Sequence, residues 1–236
     1  MAGRRGAARF AIATLAVGVG TLAGFAVVRE HTPAHTTATP KPPLRSSPTD
    51  TPWVATWHNE PVRWSCGTPI TWAVSTAAPI PSGGLTTVRQ AFKRIATTSG
   101  LRFAYDGSLP AVPGPGWRPP RGGPEVLIGW IPRSANPIFA PPAPTDALAM
   151  AEDLSTGPRL VGAVVDYSPQ AYRKLQRGFG RGTTQGALVL HELMHVVGVG
   201  DQTRWPGDLS FGQLIARPTA TFGAGDLAAL RRLGCQ

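Results

Sequence analysis

A short apolar stretch that carries two histidines and a glutamate restricts the fold more than any other part of this sequence. His191 and His195 are four residues apart, so on a helix their imidazoles lie on one face and can bind one ion. Glu192 lies beside that face, within reach of a water molecule at the ion. From Ala187 to Val197 no residue outside this trio is charged, which predicts a helix buried on nearly all sides. Either the two histidines are satisfied core residues, or a metal ion accounts for polar groups in so apolar a helix.

A catalytic zinc site needs three protein ligands and one open position, so a third ligand must come from elsewhere. No His or Glu follows His195, and the remaining downstream candidates are Asp201, Asp208, Asp226 and Cys235. Asp201 stands where a third ligand would come if the helix ended at Gly198 and the chain turned back. Glycine favours that turn because it adopts left-handed backbone angles. The pattern H-E-x-x-H-x-x-G-x-x-D therefore predicts Zn²⁺ bound by His191, His195 and Asp201.

This extended motif resembles that of the metzincin clan of zinc endopeptidases, in which the last motif residue is usually His and in a minority Asp. Residues 222–234 and Pro69-Ile70-Thr71-Trp72 look like the matrixin-like secreted proteases of high-GC bacteria, so the resemblance spans about residues 60–236. It implies an α+β fold with a mixed twisted sheet, a long active-site helix and a small C-terminal subdomain ending in a helix. It also implies an extracytoplasmic zinc-dependent endopeptidase with Glu192 as general base.

The resemblance carries two further expectations. Metzincins have a Met in a tight turn under the zinc, whereas the segment that fits best here, Gln213-Leu214-Ile215, has Ile; we expect it to keep an apolar cushion. In these enzymes a strand just before the zinc helix forms the sheet edge and pairs with an extended protein or peptide substrate. The strand predicted at Leu160–Asp166 is assigned that role.

Periodicity predicts the remaining elements of the domain. Apolar residues recur at helical spacing from Leu85 to Ile95, and Gly100 ends that helix. Thr183 or Thr184 caps the metal-binding helix, and a short amphipathic helix covers 226–233. The predicted strands are 70–74, 101–105, 126–131 and 160–166. The strand at 126–131 is short and wholly apolar, which predicts a central position in the sheet.

Two stretches rich in Pro and Gly, 108–124 and 132–158, are predicted to be long loops. Their positions beside sheet strands would let them line an active-site cleft. The alternative is that they only decorate the surface, and the sequence favours neither.

The N-terminal part of the chain predicts export. Residues 1–9 carry three Arg, and 10–28 are uncharged and long enough to cross a bilayer as a helix. Residues 1–28 are therefore predicted to be a signal anchor or a signal peptide, which gives a membrane-anchored or secreted protein. Residues 29–52, rich in Thr and Pro, are predicted to be an extended linker, and 53–236 the metalloprotease domain.

The charge and the two cysteines of the chain indicate which partners and which compartment to expect. The net charge of +10 falls to +6 from Trp53 onward, without a basic helix or an aromatic-basic ladder, so no nucleic-acid partner is predicted. Cys66 and Cys235 are expected to form a disulfide, as an exported protein with two cysteines most simply would. The alternative is a regulatory thiol, since Cys66-Gly67-Thr68-Pro69 faintly resembles the C-G-x-P of matrixin propeptides.

A second class of function is compatible with the same residues. A non-catalytic, zinc-containing cell-surface binding module would keep the ion for structure, and a structural site is closed by a fourth protein ligand. Glu192 argues against this alternative because a purely structural site does not need it. The sequence makes no prediction about oligomeric state.

Overall fold

A mixed β-sheet with helices on one face organises the part of the chain that the structure describes. The structure is a computed structural model, and it describes residues 9–11, 53–139, 149–201, 206–211 and 220–235. The strands are β1 Arg9–Ala11, β2 Thr56–Trp57, β3 Glu60–Pro61, β4 Ile70–Ser75, β5 Phe103–Leu109, β6 Val126–Gly129, β7 Ala149–Thr156 and β8 Arg159–Tyr167. The α-helices are α1 Gly84–Ser99, α2 Pro169–Lys174, α3 Gln185–Val196 and α4 Ala224–Leu233, and two short 3₁₀ helices cover Arg133–Ala135 and Pro137–Phe139.

The main sheet has the strand order β1-β7-β8-β6-β4-β5. The pairs β4–β5, β4–β6 and β6–β8 are parallel, whereas β7 runs antiparallel to β8. β6 lies inside the sheet and all four of its residues are buried, as a central parallel strand requires. This confirms the predicted central strand, although it ends at Gly129 and not at Ile131. The predicted α+β class with a mixed sheet is confirmed.

The edge strand differs from the prediction. The strand predicted at Leu160–Asp166 exists as part of β8, but it is interior, because β7 folds back on it through a hairpin and adds one more strand outside it. β7 lies in the stretch 132–158 that was predicted to be loop. That prediction was wrong here because β7 contains Ala149, Ala151, Glu152 and Asp153, residues that are depleted in strands.

Helices α1 and α3 pack together on one face of the sheet. Val88, Phe92 and Ile95 of α1 are fully buried at the predicted spacing. The helix ends at Gly100, whose φ is 72° and whose N–H donates to the carbonyl of Ala96, so the predicted end of this helix is confirmed. α3 also contacts β7 and β8, and α4 packs on α1.

The two loop stretches bury the opposite face of the sheet. Ile138 and Phe139 form a second apolar cluster with outward-facing strand residues such as Leu127 and Val164, and Trp117 packs against it. Pro113 and Pro119 lie over two strand glycines, Gly129 and Gly162, where a Cβ would come within 2.7 Å of a proline Cγ. These segments therefore act as a second layer of the core, which neither interpretation of the sequence predicted.

A disulfide joins the beginning and the end of the domain. The sulfurs of Cys66 and Cys235 are 2.11 Å apart, which confirms the predicted pairing, and neither cysteine is free to act as a regulatory thiol. The N–H of Cys235 also donates to the carbonyl of Ser99 at the end of α1, at 2.8 Å. The end of α4 is thus fixed to the domain by covalent and hydrogen bonds.

Little of the N-terminal segment lies within the described residues. Arg9–Ala11 form the strand β1 and pair with Met150–Glu152 of β7. They lie where the predicted apolar segment, residues 10–28, begins. The rest of the predicted anchor or signal peptide, the predicted linker and Gln213-Leu214-Ile215 lie outside the described residues. No helix within the described ranges combines the length and apolarity that a bilayer crossing requires.

Candidate metal centre

Helix α3 carries two of the three predicted metal ligands, His191 and His195. All twelve of its residues are buried, as the sequence predicts. Thr184 caps its N-terminus, and its Oγ1 accepts the N–H of Ala187 at 3.1 Å. Of the two predicted caps, Thr183 and Thr184, the second is therefore the one observed. Near its other end, the indole Nε1 of Trp64 donates to the carbonyl of Val196 at 2.7 Å. Both ends of the helix are therefore fixed by side chains.

The turn after α3 brings Asp201 back to the two histidines. Gly198 has a φ of 102°, the left-handed conformation that the sequence predicts there. Asp201 Oδ1 lies 3.5 Å from Nε2 of His191 and 3.5 Å from Nε2 of His195, and the two Nε2 atoms are 3.2 Å apart. In a tetrahedral site with bonds of about 2.0–2.2 Å, ligand atoms lie about 3.3–3.6 Å from each other. The three predicted ligands therefore converge at distances that suit one small metal ion.

Hydrogen bonds determine which nitrogens point into this centre. Nδ1 of His191 contacts the carbonyl oxygen of Leu209 at 2.7 Å, and Nδ1 of His195 contacts that of Val199 at 2.8 Å. A carbonyl oxygen can only accept, so each Nδ1 carries the hydrogen and Nε2 of a neutral ring offers a lone pair. Asp201 Oδ1 is buried and receives no hydrogen bond from any described residue. Three electron-pair donors then face one another, an arrangement that a cation stabilises.

The other downstream candidates for a third ligand have different partners. Asp226 accepts four hydrogen bonds from the backbone and from Ser210, and Cys235 is in the disulfide. Asp208 Oδ1 accepts the N–H of Gly225 at 3.2 Å. Within the described ranges, His191, His195 and Asp201 are the one group of three or more such side chains close enough to hold a metal ion.

Glu192 is buried beside the two histidines, at 2% exposure. Burial raises the pKa of its carboxyl to about 7; His191 opposes this shift and Asp201 adds to it. A carboxyl whose pKa is near neutrality exchanges a proton readily in either direction at neutral pH. The burial of Glu192 and its raised pKa are compatible with the general acid–base role that the sequence predicts, and that role stays a prediction.

The segment Trp53–Ala55 supports the turn that carries Asp201. Trp53 forms an isolated antiparallel bridge with Val199, and the N–H of Val54 donates to the carbonyl of Gly198 at 3.0 Å. Gly200 lies directly against this segment, since a Cβ there would come within 2.9 Å of the carbonyl group of Trp53. No sequence pattern predicts these supports, apart from the glycines that make the close approach possible.

A cavity of about 600 Å³ lies between α1 and the segment that precedes α4. Lys93, Arg94, Leu190, Phe222 and Leu227 are among the residues that line it. None of the three converging ligands belongs to its lining, so this cavity is distinct from the metal centre.

Comparison with protein-family models finds no match to the chain, and comparison with curated proteins finds no relative. The function of this protein is therefore inferred from its own residues and their arrangement.

Proposed function

We propose that this protein is an extracytoplasmic, zinc-dependent endopeptidase of the metzincin type. The observation that carries the proposal is the convergence of His191, His195 and Asp201 beside a buried carboxyl group, Glu192, whose pKa is raised to about 7. Two imidazoles and a carboxylate form a donor set that zinc takes at catalytic sites, where three protein ligands leave one position open. The resemblance of the motif to metzincins supports the same assignment.

When bound at this centre, zinc would lower the pKa of a water molecule and polarise the scissile carbonyl group. Glu192 then acts twice on the same proton. Its carboxylate accepts the proton from water as the water oxygen attacks the peptide carbonyl carbon, and the resulting carboxylic acid donates it to the leaving amine nitrogen. Burial raises the pKa of this carboxyl group above its ordinary value, which makes its carboxylate a stronger base for the first transfer.

We assign peptide binding to the outer edge of β7, which replaces the strand at Leu160–Asp166 that the sequence favoured. β7 packs against α3, so a peptide along its outer edge would pass beside the helix that carries the centre. This edge already pairs with an extended segment, Arg9–Ala11, in antiparallel register. This pairing shows that the backbone of β7 accepts an extended segment; a peptide would bind there in place of Arg9–Ala11, and pockets for its side chains would provide selectivity.

An extracytoplasmic location is proposed from two features. The disulfide between Cys66 and Cys235 is of a kind that persists in oxidising compartments. Residues 10–28 form an uncharged run after three Arg, which suits a membrane anchor or an export signal. Under this proposal the membrane is a partner only through the N-terminal segment.

The alternative, a non-catalytic zinc-containing binding module at the cell surface, predicts a closed site with four protein ligands. Within the described part of the chain, three candidate ligands come together and no fourth His, Cys, Asp or Glu joins them. A site with three protein ligands leaves one metal position open, which favours the enzyme.

The deciding experiment is cleavage of a mixed peptide library by the full-length, detergent-solubilised protein loaded with one equivalent of zinc. We expect cleavage that a chelator abolishes and that Glu192→Gln lowers by about 10²–10⁴-fold, with zinc still bound. The control is Glu60→Gln, which changes an exposed glutamate paired with Arg232 and should leave cleavage unchanged. A folded, zinc-loaded wild-type protein that cleaves nothing would favour the binding module instead.

A further inference from the structure

The hydrogen-bond partner of His191 belongs to a short segment, Asp208–Ser210, that has no regular secondary structure of its own. The carbonyl oxygen of Leu209 accepts the Nδ1 hydrogen of His191 at 2.7 Å. This contact sets both the tautomer and the orientation of the ring, and with them the direction of Nε2. The position of one backbone carbonyl therefore decides where a ligand atom points.

That carbonyl is held in place from α4. Asp226, fully buried in the first turn of α4, accepts the N–H of Leu209 through Oδ2 at 2.6 Å. Its Oδ1 accepts the N–H and the hydroxyl of Ser210, at 3.0 and 2.5 Å. Oδ2 also accepts the N–H of Gly223 at 2.8 Å. Four donors on two carboxylate oxygens fix the segment on both sides of the Leu209 carbonyl.

The segment returns a bond to the same helix. Asp208 Oδ1 accepts the N–H of Gly225 at 3.2 Å, which satisfies one of the free donors at the start of α4. Gly223, the residue at the N-cap position, has no side chain for this purpose. The helix end and the segment 208–210 are thus joined in both directions and have to move together.

We propose that Asp226 is a positioning residue for the metal centre, acting on His191 through the backbone of Leu209. It touches neither the ion nor the reacting atoms. Its role is to hold the Leu209 carbonyl where it orients the imidazole, so that His191 Nε2 is pre-aimed at the point where Nε2 of His195 and Oδ1 of Asp201 meet. This inference rests on the proposed function, because it supposes that the centre binds a metal ion.

The test compares zinc affinity, by chelator competition, in the full-length wild-type protein and in Asp226→Asn. The amide of Asn has one acceptor oxygen where the carboxylate has two. Its NH₂ group would face a backbone N–H group, and two donors cannot form a hydrogen bond with each other. We expect zinc affinity to fall about 10-fold or more, within the range found when partners of metal-bound histidines are changed. Ser210→Ala removes only the hydroxyl donor and should cause a smaller loss, which provides a milder variant if Asp226→Asn folds poorly.

The matched control is Asp166→Asn. Asp166 is another fully buried carboxylate with backbone and side-chain donors, but they come from Ile131 and Asn136 and not from 208–210. This variant loses stability without a reason to lose zinc affinity. A second readout is the imidazole NMR signal of the His191 Nδ1 hydrogen, which should exchange with water faster in Asp226→Asn than in the wild type or the control.

The outcomes separate this inference from the proposed function. Suppose that the wild-type protein binds zinc and cleaves peptides, and that Asp226→Asn has the same zinc affinity and the same Nδ1 exchange rate. That result would overturn the positioning role and leave the proposed function standing. An equal loss of affinity in Asp166→Asn would overturn it too, since the effect would then be general destabilisation. A wild-type protein that binds no zinc would overturn the proposed function and this inference with it.

Discussion

Removing the disulfide should destabilise the protein through its unfolded state while leaving the metal centre intact. Cys66 and Cys235 are 169 residues apart, and in the chain-entropy model a cross-link over so long a loop stabilises by ~5 kcal/mol. Cys66 is exposed and Cys235 is half-buried, so serines at these positions would remain solvated. The expected loss in Cys66→Ser/Cys235→Ser therefore comes mainly from the greater freedom of the unfolded chain.

The native contacts of α4 do not depend on this bond. Leu230 and Leu233 stay buried, and the N–H of residue 235 can still donate to the Ser99 carbonyl. We therefore expect zinc affinity at 25 °C to be unchanged. For a domain of this size, the lost stability corresponds to a fall in Tm of about 10–20 °C, at about 2–4 °C per kcal/mol.

The assay is urea unfolding of the zinc-free double-serine variant beside the wild-type protein, with reduced wild type as the control that carries no substitution. Linear extrapolation gives the free energy of unfolding in water for each. A difference below about 1 kcal/mol would refute the loop-entropy reasoning. A large fall in zinc affinity would refute the claim that the native site is independent of the disulfide, and it should then coincide with faster amide exchange in α4.

Three further changes, at Gly200, at Asp166 and at the N-terminus, should have measurable effects. Gly200→Ala places a methyl group within 2.9 Å of the Trp53 carbonyl, so it should shift Asp201 and weaken zinc binding about 10-fold by chelator competition, whereas unchanged affinity would contradict the tight packing. Burial raises the pKa of the Asp166 carboxyl group from 3.8 to about 7, so the folded protein binds the carboxyl proton more tightly than the unfolded chain does. The contribution of this group to the free energy of unfolding is therefore lost as pH rises from about 4 to 7. The loss is roughly 4 kcal/mol, and urea titrations at several pH values should show a flatter profile for Asp166→Asn; an equal slope would refute it. Deleting residues 1–15 frees the edge of β7 from β1 and should lower the KM for a peptide substrate without changing kcat, and an unchanged KM would argue against peptide binding at that edge.

Local chemistry made much of the candidate site predictable from the sequence. The spacing of His191 and His195, the left-handed turn at Gly198 and the Thr184 cap each depend on a few neighbouring residues. Such features follow from helical geometry and backbone preferences, which act over short stretches of chain. The structure brings Asp201 within 3.5 Å of both histidines, and the binding of zinc by these three side chains stays a prediction.

Features that depend on distant segments were not predictable. β7 has no alternating pattern and buries Glu152 and Asp153, so its place in the sheet comes from pairing with β8 and not from its composition. Burial raises the pKa of Asp153 to about 6, which illustrates the cost of placing such a residue there. The role of Asp226 depends on hydrogen bonds to a segment 16 and 17 residues away, for which no sequence pattern exists.

The contact between Trp53 and the turn at 198–200 has a mechanical consequence. Trp53 begins the continuous described stretch that follows β1, and it meets the bridge to Val199 and the packing against Gly200 at once. A pulling force applied to the chain directly before Trp53 would load this bridge and the hydrogen bond from Val54 to Gly198. Detaching these two residues would remove the support of the turn that carries Asp201, so tension at this point would reach the metal centre through a short path.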